Sequence, residues 1–223
     1  MREQIAAEFF EHGGFSDEFT GPGRYVVGER VSDRRDPTMG DVIVTQFSTL
    51  DGVVSDPDGR GGTGYGGWAF RYGSGPVADD KFRLGDRMDR GVQLYGRRTW
   101  EAFAALWPGR DGAFAKRMND VPKHVATRTG IDPQRWQHSR AIGGDAVAWV
   151  EKTRESTDIV VIGSLSLIRQ LAAADLVDEY RLVTFPLVTG EGDRLFSTPG
   201  SFEITMVEQV GPTVLTQLRR VRD

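Results

Sequence analysis

Residues 158–174 read Asp-Ile-Val-Val-Ile-Gly-Ser-Leu-Ser-Leu-Ile-Arg-Gln-Leu-Ala-Ala-Ala. The run Ile-Val-Val-Ile is typical of a strand buried on both faces, and the apolar spacing from Leu165 onward predicts a helix. Gly163 and Ser164 join the two elements. A strand that turns through glycine into a helix presents backbone N–H groups and the positive end of the helix dipole at one point. The junction is therefore a candidate phosphate site.

A second junction of the same kind lies earlier, in Gly91-Val-Gln-Leu-Tyr-Gly-Arg-Arg-Thr-Trp100. Its predicted helix starts with Arg97 and Arg98, although the helix dipole disfavours cations at that end. A bound anion would justify the two arginines, because guanidinium groups pair well with phosphate. The alternative is that both side chains are simply solvated.

Strands and helices alternate through the middle of the chain, which predicts an α/β fold with a mostly parallel central sheet between two helical layers. Apolar residues alternate around Gly211-Pro212 within residues 202–221 and predict an antiparallel C-terminal hairpin. Residues 1–39 are rich in Gly, Pro, Asp and Arg and are interpreted as an extension that packs on the domain or on a partner subunit. A disordered tail is the alternative for this segment. The domain itself is expected to span residues 40–223.

Composition narrows the classes of function. The 223 residues are 39% hydrophobic, which suits one domain with an apolar core, and the net charge of −4 predicts neither a nucleic-acid partner nor a membrane-surface partner. The chain shows no apolar leader and no run of about 20 apolar residues, so a cytoplasmic location is expected. There is no cysteine, and His12, His124 and His138 lack metal-ligand spacing, so no metal site is predicted.

Several ordered motifs resemble those of one enzyme family. They are Val161-Ile-Gly-Ser164 before a helix, Leu176-Val-Asp-Glu179, a strand that ends at Pro186, and Gly190-Glu-Gly-Asp-Arg-Leu-Phe196. Together with Gly-Arg-x-Thr-Trp at residues 96–100 they resemble the dihydrofolate reductase-like family, which includes the reductase domain of bacterial riboflavin synthesis. The resemblance implies a sheet of about eight strands. It also implies an NADP-dependent oxidoreductase that reduces a small heterocycle, either pterin-like or pyrimidine-like.

The resemblance implies NADPH as the cofactor. It places the nicotinamide against the end of the first strand, the pyrophosphate at the glycine junctions, and the 2′-phosphate near the arginines that follow two strands. The implied cofactor-binding residues are Gln46, Phe47, Val54, Gly96, Arg97, Arg98, Thr99, Thr127, Arg128, Gly163, Ser164, Leu165, Ser166 and Leu167.

The resemblance also suggests residues at the substrate end. Asp80 is the first candidate for the catalytic acid and Asp51 the second, although a surface position and turn chemistry are the respective alternatives. Trp68, Trp100 and Thr184 are the implied substrate-binding residues. Residues 56–75 are expected to form a mobile loop near the site, since the Gly62-Thr-Gly-Tyr-Gly-Gly67 motif has no predicted strand before it.

Two departures from the family pattern leave other functions open. Gly163-Ser164 stands where the family usually has Gly-Gly, commonly with a cis peptide, and the following helix lacks a tyrosine common in the family. A non-catalytic nucleotide-binding or interaction protein that keeps the fold is one alternative, and a flavin-dependent reductase is another. A homodimer is expected to be possible, because terminal strands and a spare N-terminal segment often pair subunits.

Overall fold

A single sheet of nine strands organises the part of the chain that the computed structural model describes, which is residues 24–26, 39–72 and 84–222. The strands are β1 (Arg24–Val26), β2 (Val42–Thr49), β3 (Val92–Gly96), β4 (Lys123–Ala126), β5 (Ser139–Ile142), β6 (Ile159–Val161), β7 (Glu179–Phe185), β8 (Phe202–Val210) and β9 (Thr213–Arg220). Their order across the sheet is β1-β8-β9-β7-β2-β6-β3-β4-β5.

The direction of the strands confirms the predicted topology. The six strands from β7 to β5 in the sheet order run parallel to their neighbours. The hairpin of β8 and β9 adds antiparallel to β7. Strand β1 pairs antiparallel with β8, so three residues of the N-terminal extension join the sheet of the domain. Without β1 the sheet has the eight strands that the resemblance implied.

Helices cover both faces of the parallel strands. They are α1 (Asp86–Arg90), α2 (Arg97–Ala104), α3 (Ala113–Asp120), α4 (Ala146–Thr153) and α5 (Leu165–Ala173). Helices α4 and α5 bury apolar residues such as Val150 and Leu171 against one face, while Trp100 of α2 and Met118 of α3 pack on the other. The fold is therefore the predicted three-layer α/β arrangement. Among the described residues, no helix is both long enough and apolar enough to span a bilayer.

The glycine-rich segment after β2 is folded rather than open. The carboxylate of Asp56 accepts hydrogen bonds from the backbone N–H of Gly61 (2.7 Å) and from the N–H and hydroxyl of Thr63 (3.0 and 2.6 Å). A short 3-10 helix, Trp68–Tyr72, follows, so the G-x-G-x-x-G motif stands between turns and not between a strand and an α-helix. Residues 56–67 of the expected mobile loop thus form a turn-rich segment hydrogen-bonded around Asp56, and residues 73–75 of that loop lie outside the described residues.

Three elements differ from what the sequence predicted. Residues 136–142 were predicted as one strand, but β5 begins at Ser139 and His138 adopts a left-handed backbone with φ of 58°. Helix α3 was not predicted at all. A helix was also predicted from Ala78 to Met88; of this stretch the structure describes residues 84–88, where α1 starts only after Gly85.

Candidate active site

The two glycine junctions meet at the carboxyl ends of β3 and β6, which are neighbouring parallel strands. The N–H of Gly96 donates to the carbonyl oxygen of Gly163 over 3.2 Å. A β carbon on Gly96 would lie 2.2 Å from the Ser164 hydroxyl oxygen, and one on Gly163 would lie 3.0 Å from the hydroxyl oxygen of Thr99. The peptide bond between Gly163 and Ser164 is cis, as is common for the Gly-Gly pair of the resembling family. Glycine is needed at position 96 because the two chain segments touch there, and at position 163 because its φ of 61° is unfavourable for other residues.

Both helices that start at these junctions are open to an anion. Gly96 and Ser164 are the N-cap residues of α2 and α5, and neither helix has a side-chain cap or an acidic residue in its first turn. The Ser164 and Ser166 hydroxyl oxygens lie 3.1 Å apart at the start of α5. First-turn N–H groups and hydroxyl groups are the donors that bind phosphate at helix N-termini. The geometry therefore suits a diphosphate placed between α2 and α5.

The predicted arginines differ in what they contact. Arg97 donates to the Glu101 carboxylate over 2.8 Å and also to the hydroxyl of Thr129, so it links α2 to the segment after β4. Arg98 and Arg128 are exposed beside it, at the start of α2 and just beyond β4. Opposite charge and hydrogen bonding already satisfy much of the Arg97 guanidinium. Arg98 and Arg128 are the better candidates for an incoming phosphate.

Strand β2 pairs with β6 over Val42–Val44 and continues beyond the end of β6 beside β7. Gln46 and Phe47 are half-buried there, and the Phe47 ring packs edge-on against Phe185 with centroids 5.6 Å apart. Val54 is buried at 4% exposure beneath this strand end. On α5, Leu165 is half-buried, Ser166 is exposed and Leu167 is buried. Only the first two of these α5 side chains can face a ligand.

Asp51 lies in the turn after β2 and is held by several donors. Its carboxylate accepts hydrogen bonds from the Thr49 hydroxyl (2.5 Å) and from the backbone N–H groups of Thr189 (3.3 Å) and Gly190 (3.0 Å). The hydrogen bond from Thr49 is the main cause that lowers the pKa of Asp51 below its usual value. An ionised carboxylate with these partners accepts hydrogen bonds and is a poor proton donor at neutral pH.

The remaining substrate candidates fall in different environments. Trp68 and Trp100 are 0% and 1% exposed, and their indole N–H groups donate to the Ser55 carbonyl (3.1 Å) and the Ser139 hydroxyl (2.9 Å). Both rings are therefore packed in the interior, and their role in substrate binding stays a prediction. Thr184 is half-buried on β7, opposite Ser48 of β2. Asp80 lies outside the described residues.

The comparison with known proteins identifies the family. Residues 41–216 match the family described as the RibD C-terminal domain. The chain belongs to this family. No curated protein matches the chain in sequence.

Solved structures similar to this RibD C-terminal domain share its fold. One is a candidate riboflavin biosynthesis protein from Shewanella sp. PV-4, with 22% identity, a TM-score of 0.63, and coverage of 82% of this chain and 99% of that chain. A pyrimidine reductase-like protein from Corynebacterium diphtheriae has 12% identity and a TM-score of 0.56 over 82% and 93% of the two chains. A third is the diaminohydroxyphosphoribosylaminopyrimidine deaminase/5-amino-6-(5-phosphoribosylamino)uracil reductase from Thermotoga maritima. It has 18% identity and a TM-score of 0.51, and the match covers 82% of this chain and 57% of that chain.

One turn of the RibD C-terminal domain adjoins the site through contacts that sequence reasoning missed. The turn from Thr189 to Arg194 lies against the turn after β2, and Arg169 of α5 contacts it from the other side. The pattern Gly-Glu-Gly-Asp marked a turn but gave no sign of what that turn contacts. Glu191 follows Gly190 directly in this turn and is exposed. Among the described residues, no group of three or more histidine or acidic side chains is placed to hold a metal ion.

Proposed function

We propose that the protein is an NADPH-dependent reductase of a small pyrimidine-type heterocycle. The observation that carries the proposal is the contact between two uncapped, acid-free helix N-termini at the carboxyl ends of adjacent parallel strands. Such a crevice is where dinucleotides bind in open α/β sheets. Membership of the RibD C-terminal domain family, and the reductase names of two structural relatives, support the reaction class.

The residues at the junctions fit a dinucleotide. Gly96 and Gly163 let the two junctions touch, which brings the N-termini of α2 and α5 together at one place. Thr99, Ser164 and Ser166 add hydroxyl donors to the N–H groups of α2 and α5. NADPH, when bound, supplies the hydride. The protein binds and orients both reactants.

Selectivity for the 2′-phosphate is assigned to Arg98 and Arg128. Both side chains are exposed, one in the first turn of α2 and the other just beyond β4, and a guanidinium group binds a phosphate dianion through two hydrogen bonds. Arg97 acts differently in this proposal, because its bonds to Glu101 and Thr129 hold α2 against the segment after β4. It would shape the phosphate site more than it would bind the phosphate.

The substrate end of the proposed site lies at the carboxyl ends of β2 and β7. Gln46, Phe47 and Thr184 present half-buried side chains there. Asp80 remains the proposed proton donor. A pyrimidine is preferred to a pterin because the relatives whose names specify a ring name pyrimidine or uracil.

Titration of the purified protein with NADPH and NADH, followed by tryptophan fluorescence and thermal shift, tests the proposal. We expect NADPH to bind more tightly, and Arg98→Ala with Arg128→Ala to weaken NADPH by about 10- to 100-fold, which corresponds to lost charge-assisted hydrogen bonds. Binding of NADH should change little in that variant. Lys116→Ala, which removes an exposed positive charge from α3, is the matched control.

Two outcomes would contradict the proposal. Equal affinity for NADPH and NADH in the native protein would contradict the assignment of a 2′-phosphate site. Absence of binding at millimolar concentration of either nucleotide would contradict the proposed reductase activity. Tight NADPH binding without turnover of any aminopyrimidine, pterin or flavin substrate would instead identify a binding protein that keeps the fold.

A further inference from the structure

The turn after β2 and the turn after β7 are joined by a dense set of hydrogen bonds. The N–H of Leu195 donates to the carbonyl of Gly52 (3.2 Å), and the N–H of Val54 donates to the carbonyl of Asp193 (2.9 Å). The Ser55 hydroxyl accepts from the N–H of Asp193 over 2.9 Å. These bonds join residues 52–55 to residues 193–195, and other groups hold residues 189 and 190 of the second turn.

Asp51 holds the start of the second turn, at Thr189 and Gly190. Its two carboxylate oxygens accept from the N–H groups of Thr189 and Gly190, and its own carbonyl oxygen accepts from Nε of Arg194 over 2.9 Å. Thr49 orients the carboxylate, because its hydroxyl donates to Asp51 and accepts from the N–H of Val53 (3.0 Å). The Asp51 side chain thus contacts the first two residues of the turn Thr189–Arg194, and its main-chain carbonyl contacts the last residue.

The other side of the same turn is held by the proposed cofactor helix. Arg169 of α5 donates to the carbonyl of Arg194 over 2.7 Å and lies 3.7 Å from the Asp193 carboxylate. The turn therefore stands between α5, whose N-terminus belongs to the proposed pyrophosphate site, and the end of β2, which borders the proposed nicotinamide site. Its position relative to both depends on Asp51 and Arg169.

We infer that Asp51 is a positioning residue, which holds the turn Thr189–Arg194 and its exposed Glu191 at the substrate end, and is not the acid that protonates the substrate. The inference rests on the proposed function for its consequence in catalysis. Its structural content stands apart from that function. The low pKa of Asp51 agrees with this role, because the hydrogen bonds that hold the turn stabilise the ionised carboxylate.

Asp51→Asn is the deciding variant, since the amide keeps the size of the side chain but presents an NH₂ group to one of its present donors. We expect hydrogen exchange at the Thr189 and Gly190 amides to accelerate by about 10- to 100-fold, as loss of charge-assisted bonds allows. NADPH affinity should stay within about twofold, because the pyrophosphate donors are untouched. For turnover, KM should rise more than kcat falls, and the pH profile should keep its shape.

Thr49 supplies a matched pair of variants. Thr49→Val removes the hydroxyl that orients Asp51, whereas Thr49→Ser keeps it. A positioning role predicts that Thr49→Val reproduces the faster exchange at Gly190 and the higher KM, and that Thr49→Ser restores both. A proton-donor role predicts instead that Asp51→Asn removes one limb of the pH profile.

The inference is overturned if Asp51→Asn abolishes turnover while exchange at Thr189 and Gly190 is unchanged. It is also overturned if exchange accelerates equally in Thr49→Val and Thr49→Ser. The exchange measurement needs neither cofactor nor substrate. Failure of the proposed reductase activity would therefore leave this test intact, and the two failures are distinguishable.

Discussion

Gly96 and Ser164 are in contact across the two glycine junctions, so that a β carbon on Gly96 would lie 2.2 Å from the serine hydroxyl oxygen and 2.9 Å from the serine β carbon. Gly96→Ala therefore forces the start of α2 away from the start of α5. We expect a loss of about 1–3 kcal/mol in the free energy of unfolding, typical of overpacking. NADPH affinity should also fall, because the phosphate donors of the two helices would separate. Thermal unfolding and nucleotide titration measure these effects.

The double variant Gly96→Ala with Ser164→Gly controls for this clash, since the second change removes both atoms closest to the new methyl group. We expect the double variant to regain most of the stability lost in Gly96→Ala, with an interaction free energy of about 1–2 kcal/mol between the two sites. Additive losses in the two single variants would show that the junctions do not touch as described.

The sequence predicted the two junctions because each is a local pattern, in which an apolar run is followed by a glycine and then by residues with helical spacing. It did not predict that the Arg97 guanidinium already has a hydrogen-bond partner within the protein, since that partner is the hydroxyl of Thr129, 32 residues away in the chain. For a similar reason the sequence did not predict that Trp68 and Trp100 are buried. A large aromatic ring suits a pocket or a core equally well, and only the tertiary packing decides between them.

The burial of Lys123 could not be predicted because helix α3, whose C-terminal end supplies two of its hydrogen-bond partners, was not predicted. In the sequence it alternates with His124 at the start of a strand and resembles any exposed strand residue. In the structure its ammonium donates to the carbonyls of Asn119 (2.8 Å), Val121 (2.7 Å) and Gln137 (3.2 Å), and the side chain is 0% exposed. Two of these carbonyls lie at the end of α3, which the sequence did not reveal.

Arg154 and Asp178 form an ion pair of 2.8 Å at the opposite end of the sheet, with side-chain exposures of 8% and 0%. Asp178 also accepts from the N–H of Val42 over 2.8 Å, which fixes the start of β2. Asp178→Asn should lower the free energy of unfolding by about 3–5 kcal/mol, because it leaves a buried guanidinium without its charge partner. Urea unfolding measures this.

Asp175→Asn is the matched control for that prediction. Its carboxylate is 51% exposed and pairs with Arg220 and Arg222, and asparagine tolerates the left-handed backbone at this position. An exposed pair contributes about 0–1 kcal/mol, so this variant should unfold close to the native protein. Equal losses in Asp175→Asn and Asp178→Asn would contradict the assignment of Asp178 to a buried pair.

The loop of residues 56–67 depends on the carboxylate of Asp56. Asp56→Ala removes the acceptor for Gly61 and Thr63 and places alanine at a φ of 52°, which is unfavourable for it. We expect proteolysis within this loop to accelerate by about tenfold or more, since local opening no longer breaks these bonds. Limited proteolysis with mass spectrometry locates the cuts.

Asp58→Asn serves as the control for the loop. Among the described residues this side chain accepts one exposed hydrogen bond, from the Arg60 N–H, and lies 3.6 Å from the Arg60 guanidinium. It should leave the proteolysis rate within about twofold of the native rate, as expected for exposed pairs. Cleavage at the native rate in Asp56→Ala would mean that the loop is held by other contacts.

His124 gives the protein a predicted dependence of stability on pH. Burial, and then the positive charge of Arg140 on the neighbouring strand, lower the pKa of His124 from 6.5 to about 4. The folded protein thus keeps the ring neutral while the unfolded chain takes up a proton near its ordinary pKa. Stability contributed by the neutral ring is fully present above pH 6.5 and is lost as the pH falls from 6.5 toward 4.

His124→Phe isolates that contribution, because phenylalanine keeps the ring that packs on Trp149 at 4.7 Å and removes the titrating nitrogens. It also removes a buried Nδ1 that has no hydrogen-bond partner among the described residues. We expect the variant to be at least as stable as the native protein at pH 7. Its advantage should grow by on the order of 1 kcal/mol by pH 4.5, after allowance for partial exposure of the ring. Urea unfolding at both pH values measures the difference, and a constant difference would show that His124 titrates alike in the folded and unfolded states.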